Sequence, residues 1–386
     1  METISYEDFA LGVSQRIPGK RIPLRGTIEV TRRCPLRCGH CYNNLPIADR
    51  QALNSELSRE EHYRILDEIA EAGCFWLLYT GGEIFVRQDF LDIYRYAKQK
   101  GLLITLFTNA VLLNKEIADF LADYPPQSIE ISLYGHTKET YEKVTSRPGS
   151  FERSMRGIKL LMERGMPVKL KTMVITLNKH EIWEMKRFVE EDLNLEFRYD
   201  AMINPRIDGS QGPLALRITP EEVVALDVQD PERLSDWNRF CERYMKPRFG
   251  SGRANELYQC GGGVGSFAID PSGKLSVCGM SSKDIYDLRK GSFQDGWENF
   301  ISKIRQKKTT RQTKCFTCEI KAMCGMCPAN GDLENGDPEE PVDFLCQVAH
   351  LRAYALGLTI PPHGNCEYCK NPLSNQNGDL AKYSDA

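Results

Sequence analysis

Between residues 24 and 205 short apolar runs alternate with amphipathic stretches of helical period. The runs at 28–30, 75–79, 103–107, 128–133, 168–175 and 195–199 read as strands. The stretches between them read as helices: one opening on the capping box Ser58-Arg59-Glu60-Glu61 and ending at Gly73, then 90–99, 115–122, 137–145, 151–164 and 181–190. Continuous apolar strands separated by helices predict a parallel sheet buried on both faces. Six units and then a loss of the alternation predict a partial (β/α)6 TIM-like barrel rather than a closed eight-unit one.

The rest of the chain follows a different pattern. Residues 1–23 form a polar, basic-tipped amino-terminal arm with few apolar positions. Pro205, Asp208-Gly209 and Gly212-Pro213 open a turn-rich linker over 206–250, and Thr219-Pro220-Glu221-Glu222 starts a helix in it. From 251 to 350 glycine and cysteine rise while periodicity falls, so metal rather than a large apolar core is expected to hold this small loop-rich domain. The tail at 351–386 carries Cys366-x2-Cys369 and ends in a polar stretch expected to be disordered.

Charge narrows the function. Fifty Lys and Arg against 53 Asp and Glu give −3. That balance offers no basic surface for nucleic acid or an anionic membrane. The amino terminus has no signal-peptide pattern, and no apolar run approaches the ~18 residues of a membrane span. A cytoplasmic location is expected. Fourteen cysteines is many for such a chain, and they are clustered: three at 34–41 and nine between 260 and 369, with Cys74 and Cys241 between. In a reducing compartment that pattern points to metal rather than disulfides.

Cys34-x3-Cys38-x2-Cys41 follows the first strand, with Pro35 and Gly39 keeping the segment irregular. Three thiolates in one tight loop suit zinc or an iron–sulfur cluster, and leave one coordination position free. This spacing after a first barrel strand resembles the radical S-adenosylmethionine (SAM) enzymes. There three cysteines hold a [4Fe-4S] cluster whose fourth iron chelates SAM. The resemblance implies that His40, before the third cysteine, and Tyr42 lie near the adenine. It gives Gly81-Gly82-Glu83, after the second strand, to the SAM amino group, with Ile84 where the family usually has Pro. It gives Ser132 to the SAM carboxylate or ribose, and Asn109 to a SAM contact. The plain alternatives are a strand-end turn and ordinary strand-end polar residues.

A second set reads Cys260-x12-Gly273-x4-Cys278, Cys315-x2-Cys318-x5-Cys324-x2-Cys327, then Cys346. Its paired C-x2-C spacing alone would suit a zinc ribbon. In order it resembles the SPASM domain of peptide-modifying radical SAM enzymes, which carries two auxiliary [4Fe-4S] clusters; the last pair is one residue shorter than usual. The resemblance implies an outer cluster on Cys315, Cys318, Cys324 and Cys346, and an inner one on Cys260, Cys278 and Cys327. The inner cluster's fourth iron is then open, or closed by Cys241, Cys366 or Cys369. Cys74 and His62, His136, His180, His350 and His363 show no ligand spacing and read as packing or surface.

The function implied is reductive cleavage of SAM to a 5′-deoxyadenosyl radical that takes hydrogen from a ribosomally made peptide or protein side chain. A sulfatase-maturase-like or haem-precursor-modifying enzyme is the alternative, and a zinc-stabilised binding module a distant one. Only 33 residues precede Cys34, which leaves leader-peptide recognition to a separate protein or to direct binding. An electron donor such as flavodoxin or ferredoxin is expected, with no nucleic acid and no membrane as partner.

Overall fold

The computed structural model describes residues 21–244 and 255–370. The expectations for most of the amino-terminal arm and for the end of the tail lie outside those residues.

Six strands follow the chain as the alternation requires: β1 (Arg25–Glu29), β2 (Trp76–Thr80), β3 (Leu103–Thr108), β4 (Ser128–Ser132), β5 (Val168–Met173) and β6 (Glu196–Asp200). Each pairs in parallel with the next. Between them run α1 (Arg59–Glu71), α2 (Phe90–Gln99), α3 (Lys115–Asp123), α4 (Lys138–Thr145), α5 (Ser150–Met162) and α6 (Ile182–Arg187). The capping box at Ser58 forms in both directions, and Asn114 and Thr137 cap α3 and α4 with their side chains. The last helix is shorter than expected because the chain widens into a π turn at Phe188–Asp192.

Burial alternates along the strands. Tyr79, Leu106, Ile131 and Leu170 face the helices and share one core with Ile65, Tyr94, Leu121 and Ile158. The opposite face corrects the expectation of burial on both sides. It carries Phe107, Glu130, Lys171 and Arg198, all less buried, because a six-unit sheet leaves one face open as a lumen. Strand register sets these beside one another: Phe107 opposite Glu130, Ser132 opposite Lys171, and Lys171 opposite Arg198. Lys171 bridges to Glu130 at 3.1 Å and lies over the Phe107 ring.

The sheet does not stop at β1. Three short strands from the cysteine-rich region extend it: β7 (Ser266–Ile269), β8 (Lys274–Ser276) and β9 (Tyr286–Asp287), giving the order β9-β8-β7-β1-β2-β3-β4-β5-β6. β7 is parallel to β1. Gly26 permits the join: a Cβ there would stand 2.6 Å from Cζ of Phe267. At the β7–β8 turn, Gly273 has φ +83° and packs on Leu57. Arg21 enters beneath this extension, its guanidinium 4.6 Å from the Trp297 ring centroid.

Beyond it a second, smaller core gathers Ile320, Met323, Val342, Leu345, Ala349, Ala353 and Ile360 with Cys324, Cys346, Cys366 and Cys369. The linker contributes α7 (Pro220–Gln229) and α8 (Pro231–Tyr244); α9 (Pro328–Asn335) and α10 (Asp343–Ala355) follow. Buried Asp227 of α7 ties them together, accepting from Arg352 at 2.8 Å and from Arg233 at 2.6 Å. Among the described residues no helix is long and apolar enough to cross a membrane.

Candidate functional site

The first cysteine loop is held from beneath. Arg33 donates from Nε and Nη2 to Glu56 at 2.8 and 2.9 Å, a nearly buried two-point ion pair. Thr31 and Arg87 converge on the same carboxylate. Cys34 then pairs with Pro46 in a two-residue ladder that closes the loop on itself. Glu29, at the end of β1, accepts from Tyr42 Oη and Asn43 Nδ2, each at 2.8 Å. Arg206 reaches in from the linker to the carbonyls of Cys41 at 3.1 Å and Asn44 at 2.8 Å.

This framework leaves Cys34 and Cys38 buried and Cys41 partly so, all free thiols packed in one small cluster with Leu36 and Val111. Burial pushes each thiol up in pKa, and the neighbouring sulfurs push Cys34 and Cys38 further. Such a set is stable as thiolate only if the group it holds supplies positive charge. The donors therefore fit a soft metal centre, with three protein ligands rather than four.

The other expected residues surround this loop. Asn109 Nδ2 lies 3.5 Å from Cys34 Sγ, and its backbone N–H donates to Glu83 at 2.8 Å. Glu83 is buried; it also accepts from Thr108 Oγ1 at 2.7 Å, and burial holds its carboxyl up at about 7. Gly81, at φ +143°, and Gly82 lie against this chain's own backbone. A Cβ would meet Thr31 O at 2.1 Å from Gly81, and Arg32 O and Arg33 O at 2.5 Å from Gly82. The glycines thus let β2 close on the entry to the cysteine loop. His40 stacks edge-on against Tyr134 at 4.8 Å and is kept neutral by burial, down at about 4. Its buried Nδ1 has no partner among the described residues. Tyr42 donates its hydroxyl to Glu29 at 2.8 Å. Ser132 ends β4 on the lumen side, within hydrogen-bonding reach of Tyr134.

Two further thiol groups form in the cysteine-rich region. Cys315, Cys318, Cys324 and Cys346 line one cavity with Lys314 and Lys321. Cys315 and Cys346 are within hydrogen-bonding reach of each other, as are Cys346 and Cys324. Burial pushes the Cys278 and Cys327 thiols up in pKa, and both lie near enough to Cys260, as does Cys278 to Cys327, for the neighbouring sulfurs to push them further. Cys241 packs with the second core.

His350 and His363, read from the sequence as packing or surface residues, are brought together with two cysteines. His350, His363, Cys366 and Cys369 are all buried, and their ligand atoms lie within 4.8 Å of one another. Sequence spacing hid this because His350 belongs to α10, while the other three come from the tail folded over it.

Residues 28–189 match the family model described as the radical SAM superfamily. Among curated proteins, an AdoMet-dependent heme synthase of Methanosarcina barkeri is 27% identical over 343 residues, 81% of this chain and 94% of that protein. A PqqA peptide cyclase of Bradyrhizobium diazoefficiens is 26% identical over 336 residues, 82% and 86% of the two chains. Among solved structures, Streptococcus suis SuiB bound to precursor peptide SuiA superposes with a TM-score of 0.65 at 18% identity, over 90% of this chain and 82% of that one. That likeness shows the fold.

Proposed function

We propose that this chain, whose residues 28–189 match the radical SAM superfamily, modifies a ribosomally made peptide or protein side chain. With a [4Fe-4S] cluster and SAM bound, the family's chemistry is reductive cleavage of SAM to a 5′-deoxyadenosyl radical that takes hydrogen from substrate. Cys34, Cys38 and Cys41 are the residues that would hold the cluster. The observation that carries the reading is their arrangement: three clustered thiols, two of them buried, at the carboxyl end of β1, with Glu83, Asn109 and Ser132 at the next three strand ends.

The chain's own residues orient and enclose. The Glu83–Thr108–Asn109 bonds fix the ends of β2 and β3, and Asn109 steadies the sulfur of Cys34. Gly81, Gly82 and Glu83, at the end of β2 beside the cysteine loop, would face the amino group of SAM. Phe107, Glu130, Lys171 and Arg198 present an amphipathic lumen wall suited to an extended polar substrate. Cys315, Cys318, Cys324 and Cys346 would hold an outer auxiliary cluster, and Cys260, Cys278 and Cys327 an inner one open at one iron.

The peptide reading is supported by likeness to a peptide cyclase along four-fifths of the chain and by a shared fold with a peptide-bound enzyme. The heme synthase likeness favours a second reading, in which the substrate is a haem precursor. In either case a flavodoxin- or ferredoxin-like donor supplies the electron, and a reducing cytoplasm suits the free thiols. Leader-peptide recognition falls to a separate protein or to direct binding. The test is incubation of anaerobically reconstituted protein with SAM, reductant and either a peptide encoded beside this gene or an iron porphyrin bearing propionates. Mass loss in the peptide coupled to 5′-deoxyadenosine supports the first reading; decarboxylation of the porphyrin alone would replace it with the second.

A further inference from the structure

We propose that His350, His363, Cys366 and Cys369 form a structural zinc site, separate from the iron–sulfur centres, that clasps the carboxy-terminal tail onto α10. The donor set is two imidazoles and two thiols, the composition of closed tetrahedral zinc sites. At Zn–S of about 2.3 Å and Zn–N of about 2.05 Å, tetrahedral angles place nitrogen and sulfur ~3.6 Å apart. His350 Nε2 lies 3.4 Å from Cys366 Sγ and 3.2 Å from Cys369 Sγ, and His363 Nε2 lies 3.9 Å from Cys369 Sγ. All four donor atoms lie within 4.8 Å of one another, close enough for one ion to reach them together.

The outer bonds of the two rings supply an independent observation. His350 Nδ1 is 2.7 Å from the carbonyl of Cys346, and His363 Nδ1 is 3.1 Å from that of Pro361. A carbonyl accepts only from N–H, so the His350 ring carries its proton on Nδ1 and turns the lone pair of Nε2 towards both sulfurs. Hydrogen bonding of the outer nitrogen to a carbonyl is how metal-binding histidines are commonly held. Nδ1 of His363 also lies 3.2 Å from Cys369 Sγ, so that ring sits in contact with the thiol through either nitrogen. Local backbone prepares the tail: Cys366 N–H donates to the His363 carbonyl at 3.1 Å, a turn that brings His363 and Cys366 to one side. Tyr368 then docks on α10 through Asp343 at 2.6 Å and Gln347 at 2.9 Å.

The position gives the clasp a consequence. Cys346 and His350 are one turn apart on α10, and His350, His363 and Cys366 line the same cavity as Cys315, Cys318, Cys324 and Cys346. Those four thiols already complete a four-ligand set, so the tail cysteines are not needed there. Zinc on the tail would cover that cavity and fix the helix bearing Cys346. It would also remove Cys366 and Cys369 from the inner set, leaving Cys260, Cys278 and Cys327 with an open position.

The test is metal analysis of full-length protein purified anaerobically from cells supplied with zinc and iron. The expected result is about one zinc per chain beside the iron, with cobalt(II) substitution at that site giving the intense visible bands of a tetrahedral thiolate complex. Cys366→Ala/Cys369→Ala should lower zinc about tenfold, while His363→Cys, which keeps four donors, should retain it. Iron is counted in the same samples, so one zinc that is lost in the double variant, with iron for a single cluster, would uphold this site and remove the auxiliary-cluster reading. Zinc below about a tenth per chain in the unaltered protein, or zinc unchanged in the double variant, overturns the proposal; neither result depends on the variants folding as the parent does.

Discussion

The two cysteine-rich regions of this molecule are built on opposite principles. The loop at Cys34–Cys41 is scaffolded by protein: a buried Arg33–Glu56 pair, a carboxylate at Glu29 and a strand ladder hold the sulfurs before any metal arrives. The region from Cys315 to Cys369 has little of this. Between Arg305 and Pro328 its regular structure is one four-residue turn, Lys321–Cys324, and its apolar core is small. Five of its seven cysteines sit in that core or on its rim. A centre that must bind and release a cofactor benefits from a rigid cradle. A region with few apolar contacts instead draws its folding energy from the metal.

Metal removal should expose this difference most strongly. Anaerobic chelation of iron and zinc is expected to abolish slow amide exchange across 310–370 while leaving β1–β6 and α1–α5 protected, as read by hydrogen-exchange mass spectrometry. Equal loss in both regions would erase the contrast.

In the scaffolded loop, side chains and backbone geometry should matter even without metal. Gly81→Ala forces a Cβ to within 2.1 Å of Thr31 O at a φ that L residues rarely adopt, so a cost of ~4 kcal/mol or more is expected, seen as a lowered denaturation midpoint of the metal-free protein. Glu56→Ala strands Arg33 in a buried site. Breaking such a pair costs about 3–5 kcal/mol. The midpoint should fall accordingly, and reconstituted iron should drop at the Cys34 loop without changing the tail's zinc.

The smallest effect concerns the lumen wall. Burial pushes the Lys171 ammonium down to about 8 despite Glu130. Its folded pKa thus lies below its unfolded value near 10.5. The penalty for burying the charge is fully present below pH 8 and is relieved as pH rises towards 10.5. Lys171→Met should therefore raise stability at pH 7 and flatten the stability–pH curve between 8 and 10.5. A parallel shift at all pH values would show that the lysine is not desolvated.

What the sequence disclosed follows the same division. The six barrel strands and the Cys34 loop were legible because long apolar runs and a fixed three-cysteine spacing are local signals. The extension by β7–β9 was not, since strands of two to four residues such as Ser266–Ile269 carry too little periodicity. The open lumen was missed for a different reason. Leu103-Ile104-Thr105-Leu106-Phe107 is apolar at both phases, so alternation does not reveal which face lacks helices. His350 and His363 stand thirteen residues apart and meet only through the tail's fold, which spacing rules cannot see. Tyr42 lies beside the third cysteine in sequence, yet its hydroxyl is spent on Glu29.

The chemistry proposed for this chain depends on the Cys34 loop. The decisive measurement is 5′-deoxyadenosine released from SAM by anaerobically reconstituted, reduced protein, compared with the Cys34→Ala/Cys38→Ala/Cys41→Ala variant. The prediction is production by the unaltered chain and none above background in the variant, which keeps the iron held beyond residue 260. Equal production by both proteins, or none by the first with its iron in place, would contradict it.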